Sequence, residues 1–270
     1  MSRKNATFWN WKWIYITTSL NQQEERIMIT SKDIAKMIDH SLLKPEMDAE
    51  TVKKGCEIAR KYDTASVCVK PCDLPIAAEV LKGTDVRLST VIGFPHGSNR
   101  TDVKVYEAER AMDDGAEELD MVLNIGRLIS GDLSMVEEDI RQVAEVAHKR
   151  GVLLKVIFEN AYLSDEQKKT ACRLSETAGA DFVKTSTGYA PSGATIPDLK
   201  LMRATCSGKV RVKAAGGVRT LDAILACRAA GCTRCGATAT LAIMEEAMKR
   251  EQSGSLMEAD PDKATLGQGY

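Results

Sequence analysis

Three lysines stand in runs that are otherwise apolar. Lys155 lies in Leu153-Leu154-Lys155-Val156-Ile157-Phe158, Lys184 in Phe182-Val183-Lys184-Thr185, and Lys213 in Val210-Arg211-Val212-Lys213-Ala214. Successive lysines are 29 residues apart, so consecutive repeating units present an ammonium at matching places. Burying an unpaired ammonium is costly, and neighbouring cations repel, so both effects favour the neutral amine. A neutral lysine beside another cation is the form that attacks a carbonyl to give a Schiff base. The bland alternative is that each lysine joins a structural salt bridge or extends its charged head to a strand end.

A carboxylate is at hand. Asp120, in Glu118-Leu119-Asp120-Met121-Val122-Leu123-Asn124, also sits within an apolar run. It suits either an ion pair with a strand lysine or proton transfer at a carbon acid. Asp39, next to His40, is a second candidate for the same neighbourhood. Two glycine-containing segments complete the set: Gly216-Gly217, and Gly236-Ala237-Thr238. If these follow the last two strands of a barrel, their backbone amides and the Thr238 hydroxyl are placed where such folds bind phosphate. Glycines that merely turn the chain are the alternative.

The elements that must position these groups follow a β-α rhythm. Strand patterns fall at residues 65–69, 87–92, 119–124, 153–158, 182–185 and 210–214, around Arg234-Cys235, and more weakly at 39–43. Near-continuous apolar strands separated by helices mean a parallel sheet covered on its outer face. Helical spacing is clear at Met135, Ile140, Val143 and Ala147, and at Leu221, Ile224, Leu225 and Ala229. Ser164 to Gln167 reads as a capping box. Gly115, Gly151, Gly179, Gly208 and Gly231 follow helices where left-handed caps are expected. Eight β-α units in one domain, with no dinucleotide or Walker fingerprint, predict an α/β fold: a (β/α)8 TIM barrel with a short N-terminal helix before the first strand.

The expected division is residues 1–27 as an extension, 28–250 as the barrel and 251–270 as a polar tail. All three tryptophans, Trp9, Trp11 and Trp13, fall in the extension. It lacks a signal-peptide cleavage pattern, so an upstream start or an appended segment is expected, with a partner-binding arm as the alternative. With 37 basic and 38 acidic residues, no general attraction to nucleic acid or membrane is expected. No apolar run approaches the roughly 18 residues of a membrane span. Eight dispersed cysteines read as buried thiols of a reducing, cytoplasmic compartment, and Cys232-Thr-Arg-Cys235 as part of a strand, not a zinc or redox motif. The three histidines, His40, His96 and His148, show no metal-binding spacing; His148 is expected in solvent and His96 in a loop on the catalytic side.

Val183-Lys184-Thr185-Ser186-Thr187-Gly188 and Val212-Lys213-Ala214-Ala215-Gly216-Gly217-Val218-Arg219-Thr220 resemble the two signature strands of the deoxyribose-phosphate aldolase family. Supporting segments are Asp39-His40-Ser41-Leu42-Leu43-Lys44-Pro45, Ala65 to Val69, Val91 to Pro95 and Leu119 to Gly126, so the likeness runs from about Met28 to Arg250. The resemblance implies a class I aldolase cleaving 2-deoxy-D-ribose 5-phosphate to acetaldehyde and D-glyceraldehyde 3-phosphate, with no metal or organic cofactor. It implies Lys184 as the nucleophile, Lys213 as the cation that keeps it neutral, and Asp120 in proton transfer; spacing alone does not choose among the three lysines. The expected substrate contacts are Asp39, Cys68, Lys155, Thr187, Gly188, Gly216, Gly217, Gly236 and Thr238. Family members are usually homo-oligomers, so a dimer or tetramer is expected. Two departures stand out: Asn160 where the family often has threonine, and Ala239 where a second hydroxyl often follows Thr238. A C-terminal tyrosine, here Tyr270, is a candidate proton donor. A different Schiff-base aldolase, or a non-catalytic sugar-phosphate binder, are the rival readings.

Overall fold

The computed structural model describes residues 29–260 and Leu266; the aromatic arm, Met28 and Tyr270 lie outside the described residues. The order is α1 (Ser31–Ala35), β1 (Ile38–Leu42), α2 (Ala49–Tyr62), β2 (Ser66–Val69), α3 (Leu74–Leu81), β3 (Arg87–Ile92), α4 (Thr101–Asp113), β4 (Glu118–Val122) and α5 (Ile125–Ile129). It continues with α6 (Leu133–Lys149), β5 (Leu153–Ile157), α7 (Asp165–Thr177), β6 (Phe182–Lys184), α8 (Ile196–Thr205), β7 (Arg211–Ala214), α9 (Leu221–Ala229), β8 (Arg234–Ala237) and α10 (Thr240–Gln252). The strands pair in sequence order, all parallel, and β8 closes on β1. This is the expected (β/α)8 barrel, preceded by one short helix capped by Thr30.

Strand periodicity divides each strand between two environments. One set of side chains, including Val67, Leu119, Met121, Leu154, Val156, Val183 and Val212, packs outward under the helices. Each such side chain contributes about 1.5–3 kcal/mol by leaving water. The helices answer with Val136, Ile140, Val143 and Ala147 on α6, and Ile224 and Leu225 on α9. Met135 is half-buried and Ala229 exposed, because the inward stripes of these helices centre on Val136 and Ala226 instead. The capping box at Ser164 and Gln167 opens α7.

Two local expectations are corrected. Gly115, Gly151, Gly179 and Gly231 have positive φ, but Gly208 does not: α8 ends at Thr205 and Cys206 is already extended, with ψ 149°. Gly236 and Ala237 are not loop residues. They extend β8, held in register by pairing with Asp39 and His40 of β1. Beyond α10 the chain stays attached, with Leu256 buried in the core and Glu258 paired with Arg228 at 2.6 Å.

Candidate active site

The inward-facing set is charged where this fold usually packs branched apolar side chains. Glu118 and Asp120, two apart on β4, face the same side, and Asp120 lies beside Lys155 in register. Lys184 is in turn level with Lys213 on the next strand, and Lys213 with Arg234. Asp120 gathers all three lysines: its Oδ1 accepts from Lys155 Nζ at 2.7 Å, and its Oδ2 from Lys184 at 2.8 Å and Lys213 at 2.7 Å.

The three lysines differ in what else they touch. Lys155 also meets Glu118 Oε2 at 2.7 Å and Ser89 Oγ at 3.4 Å. Lys213 Nζ lies 2.5 Å from Asp39 Oδ2, an ion-pair contact outside hydrogen-bonding angles. Lys184 has Asp120 as its one carboxylate contact among the described residues. Burial opposes the charge on every one of them, but the carboxylates win at Lys155 and Lys213, whose pKa values rise. At Lys184 burial wins, helped by the neighbouring Lys213 cation, and the pKa falls. The expectation that all three amines would be pushed toward neutrality therefore holds for Lys184 alone. Asp120, although buried, is held ionised well below the usual carboxylate range by Lys155, Lys184 and Lys213. Asp39 is likewise held low by Lys213, Lys155 and Arg234.

Lys184, 3% exposed, opens on a small cavity at the C-terminal end of the strands, lined also by Asp39, Ser41, Cys68, Thr187, Lys213 and Gly236. Burial pushes the Cys68 thiol up, leaving it uncharged there. Thr187 is fixed from behind by Glu159, whose Oε2 accepts from its backbone N–H at 3.2 Å and from its hydroxyl. Glu159 holds a left-handed backbone (φ 58°) and keeps Oε1 buried without a partner, so burial raises its pKa. Gly188, also buried, turns the chain behind Thr187 with φ 96°.

An adjoining cleft of about 220 Å³ is lined by Gly216, Gly217, Gly236 and Thr238, with Lys44 and Arg219 at its rim. Gly216 must be glycine for a steric reason: a Cβ there would come within 2.7 Å of Gly193 Cα, where the loops after β6 and β7 meet. Thr238 is exposed just ahead of α10, and Ala239 gives that helix no side-chain cap. The cleft thus offers a helix N-terminus, a hydroxyl and two cationic side chains, the features of an anion site. A third, mostly apolar cleft lies beside the mouth, walled by Leu43, Val91, Phe94 and Tyr189.

The structure brings Asp39, Cys68, Asp120, Thr187, Lys184, Lys213, Gly216, Gly217, Gly236 and Thr238 to these adjoining spaces or directly beneath them. Lys155 is fully buried below Asp120, with its ammonium taken up by carboxylates. Asn160 lies outside the cavity, its Nδ2 3.4 Å from Met202 Sδ. Sequence reasoning missed Lys44, Glu118, Glu159 and Arg234. Lys44 directly follows a strand at the catalytic face, and Glu118 stands two residues before Asp120; those were the available signals.

Other groups fall elsewhere. All eight cysteines are free thiols; seven are buried and Cys72 is exposed, which corrects the uniform buried expectation. His148 is exposed as expected, with Nε2 2.9 Å from Asp181 Oδ2, and His96 is exposed too. His40 is buried against Thr240, its Nδ1 2.7 Å from the hydroxyl. Among the described residues no cluster of His, Cys, Asp or Glu is arranged for a metal, and no helix is long and apolar enough to cross a membrane.

The sequence model described as DeoC/LacD family aldolase matches residues 34–245. A deoxyribose-phosphate aldolase of Caldanaerobacter subterraneus subsp. tengcongensis is 49% identical over 230 residues, covering 85% of this chain and 98% of the relative. One from Thermococcus gammatolerans is 48% identical, covering 81% and 98%. Among solved structures, a deoxyribose phosphate aldolase from Aeropyrum pernix, described as a unique tetramer, superposes with a TM-score of 0.75 at 28% identity, covering 80% of this chain and 92% of that one.

Proposed function

Because the chain belongs to the DeoC/LacD family of aldolases, we propose that it is an aldehyde-lyase reversibly cleaving 2-deoxy-D-ribose 5-phosphate to acetaldehyde and D-glyceraldehyde 3-phosphate through a Schiff base on Lys184. The observation that carries this reading is Lys184, a buried lysine with a lowered pKa that opens on a cavity beside an anion-binding cleft.

In this reading the neutral Lys184 amine attacks C1 of the open-chain sugar, and loss of water leaves a protonated imine. Removal of the proton on the C3 hydroxyl breaks the C2–C3 bond. Its electron pair passes into the imine, giving an enamine on Lys184 and releasing glyceraldehyde 3-phosphate. Protonation at C2 and hydrolysis then release acetaldehyde and restore the amine. Asp120, in contact with both Lys184 and Lys213, relays protons as the carbinolamine forms and collapses, with the Lys213 ammonium as the donor. The electron sink is the imine itself, so the route draws on no metal or organic cofactor.

The phosphate sits at Gly216, Gly217, Gly236 and Thr238 with Lys44 and Arg219, and Asp39, Cys68, Thr187 and Gly188 shape the space around the carbon chain. Lys155 acts beneath the substrate, through Asp120. Eight free thiols fit a reducing, cytoplasmic setting. A homo-oligomer, dimer or tetramer, fits the exposed Val103 and Tyr106 side by side on α4, and light scattering on the purified protein reads the subunit number.

The deciding experiment is borohydride reduction in the presence of the deoxypentose phosphate, followed by peptide mass spectrometry. The expected product is a reduced adduct on Lys184. An adduct on Lys155 or Lys213 overturns the residue assignment, and no adduct on folded, substrate-bound protein favours a non-catalytic sugar-phosphate binder.

A further inference from the structure

The buried charges of the barrel form a closed circuit. Asp120 meets Lys155 at 2.7 Å, Lys155 meets Glu118 at 2.7 Å, and Glu118 meets Arg234 at 3.0 Å. Arg234 meets Asp39 at 2.5 Å, Asp39 meets Lys213 at 2.5 Å, and Lys213 returns to Asp120 at 2.7 Å. Signs alternate all the way round, three carboxylates with three cations. Lys184 is attached to this circuit from outside, through Asp120 alone.

We propose that Glu118 and Arg234, at the opposite end of the barrel from the substrate cavity, are positioning residues that keep Lys184 uncharged by closing this circuit at net zero. They open β4 and β8, and neither lines the cavity at Lys184. With the circuit complete, each of its carboxylates is already matched by a cation of the circuit. A proton on Lys184 is then a surplus charge in a dry interior, where an uncompensated charge is expensive. Without Arg234, Asp39 and Glu118 carry one negative charge too many, and a proton on Lys184 relieves it. Without the Glu118 charge the surplus is positive, and Lys184 is held neutral more firmly.

The other groups facing Lys184 remain fixed in these variants. They are Asp120 from β4, backed by Lys155 from β5, then Lys213 from β7, Asp39 from β1, the uncharged Cys68 thiol from β2, and Glu159 beyond β5. Arg87, half-exposed at 3.7 Å from Glu118, touches the circuit only from its outer edge. That the amine is a nucleophile rests on the Schiff-base reading; its charge state is measurable without it.

The test is competitive acetylation of the full-length protein with trace acetic anhydride across pH, scored at Lys184 by mass spectrometry. The midpoint of labelling reports the neutral amine directly. Arg234→Gln is expected to raise that midpoint by about one pH unit, roughly a tenfold loss of reactive amine at a fixed pH below it. Glu118→Gln is expected to lower it, and the double variant to return it close to the parent value. Arg234→Lys, which keeps the charge, holds the midpoint in place. A purely structural role predicts lower thermal stability with no displacement, or displacement in one direction for both single variants; either result overturns the proposal. If Arg234→Gln does not fold, Glu118→Gln decides alone, because a midpoint that stays or rises refutes the circuit. Midpoints that move as described while borohydride traps nothing would sink the Schiff-base reading and leave the circuit standing.

Discussion

Lys184 and Lys213 share a single oxygen, Asp120 Oδ2, at 2.8 and 2.7 Å, yet their proton affinities are driven in opposite directions. The difference is Asp39, which Lys213 contacts and Lys184 does not. Two amines on one carboxylate are thereby pushed apart, one toward the neutral form suited to attack carbon and the other toward the ammonium suited to donate a proton.

Replacing Lys213 with Met removes the cation beside Lys184 and, in the proposed mechanism, the proton donor as well. Turnover near pH 7 is expected to fall by about 10²–10⁴-fold, the usual worth of a general acid. Because a like charge has gone, the Lys184 pKa rises, so adduct formation in the variant must be displaced to higher pH. Single-turnover trapping as a function of pH reads both effects, and an unmoved pH profile would count against the pairing.

Asp120→Asn keeps the shape and removes the charge that three ammonium groups surround. Breaking a buried ion pair in this way costs about 3–5 kcal/mol. Urea denaturation measures it; a loss under about 1 kcal/mol would mean the lysines find other compensation. The Asp120 contribution is complete above the usual carboxylate range and is expected to be lost progressively as pH falls through that range toward its lowered folded-state value.

Much of this centre could be read from the chain alone. The barrel followed from strand-helix alternation, and the unusual chemistry from lysines interrupting apolar strands. Which lysine has its proton affinity lowered could not be read, because the deciding carboxylates sit on β1 and β4, far from β6 in sequence. Glu118 and Arg234 each open a strand, where a charged residue normally reaches solvent, so nothing local marked them as buried partners. Gly236 was read as a loop residue because a glycine near a strand end resembles a turn; only its pairing with Asp39 keeps it in the sheet.

Lys44 offers a test of the anion cleft. Lys44→Met removes a charge from the rim without touching the buried circuit. A hydrogen bond to a charged group is worth about 1.5–3 kcal/mol, so KM for the phosphorylated sugar is expected to rise roughly 10- to 100-fold. Kinetics on unphosphorylated 2-deoxyribose should be almost unchanged. Equal losses on both sugars would place Lys44 outside phosphate recognition.

His40 predicts a second acid limb, in stability and not in catalysis. Burial lowers its pKa from 6.5 to about 4, so the folded state prefers the neutral ring and the unfolded chain binds the proton more readily. The contribution is complete above pH 6.5 and is lost as pH falls toward 4, on the order of 3 kcal/mol in all. Denaturation midpoints for wild type and His40→Gln, compared from pH 7 to pH 4, should converge as the pH drops. Parallel curves would show that His40 does not titrate in this range.

The circuit also divides the barrel in a way that the strand order does not announce. Its three carboxylates come from β1 and β4, while Lys155, Lys184, Lys213 and Arg234 come from β5 to β8. Severed between α6 and β5, the two halves would hold inner faces of opposite sign. Neither could close upon a copy of itself without bringing like charges together in a dry interior, whereas each is the natural complement of the other. The same side chains that prepare an amine for chemistry therefore act as a lock and key between half-barrels, rejecting like pairs and admitting the one union that makes the enzyme.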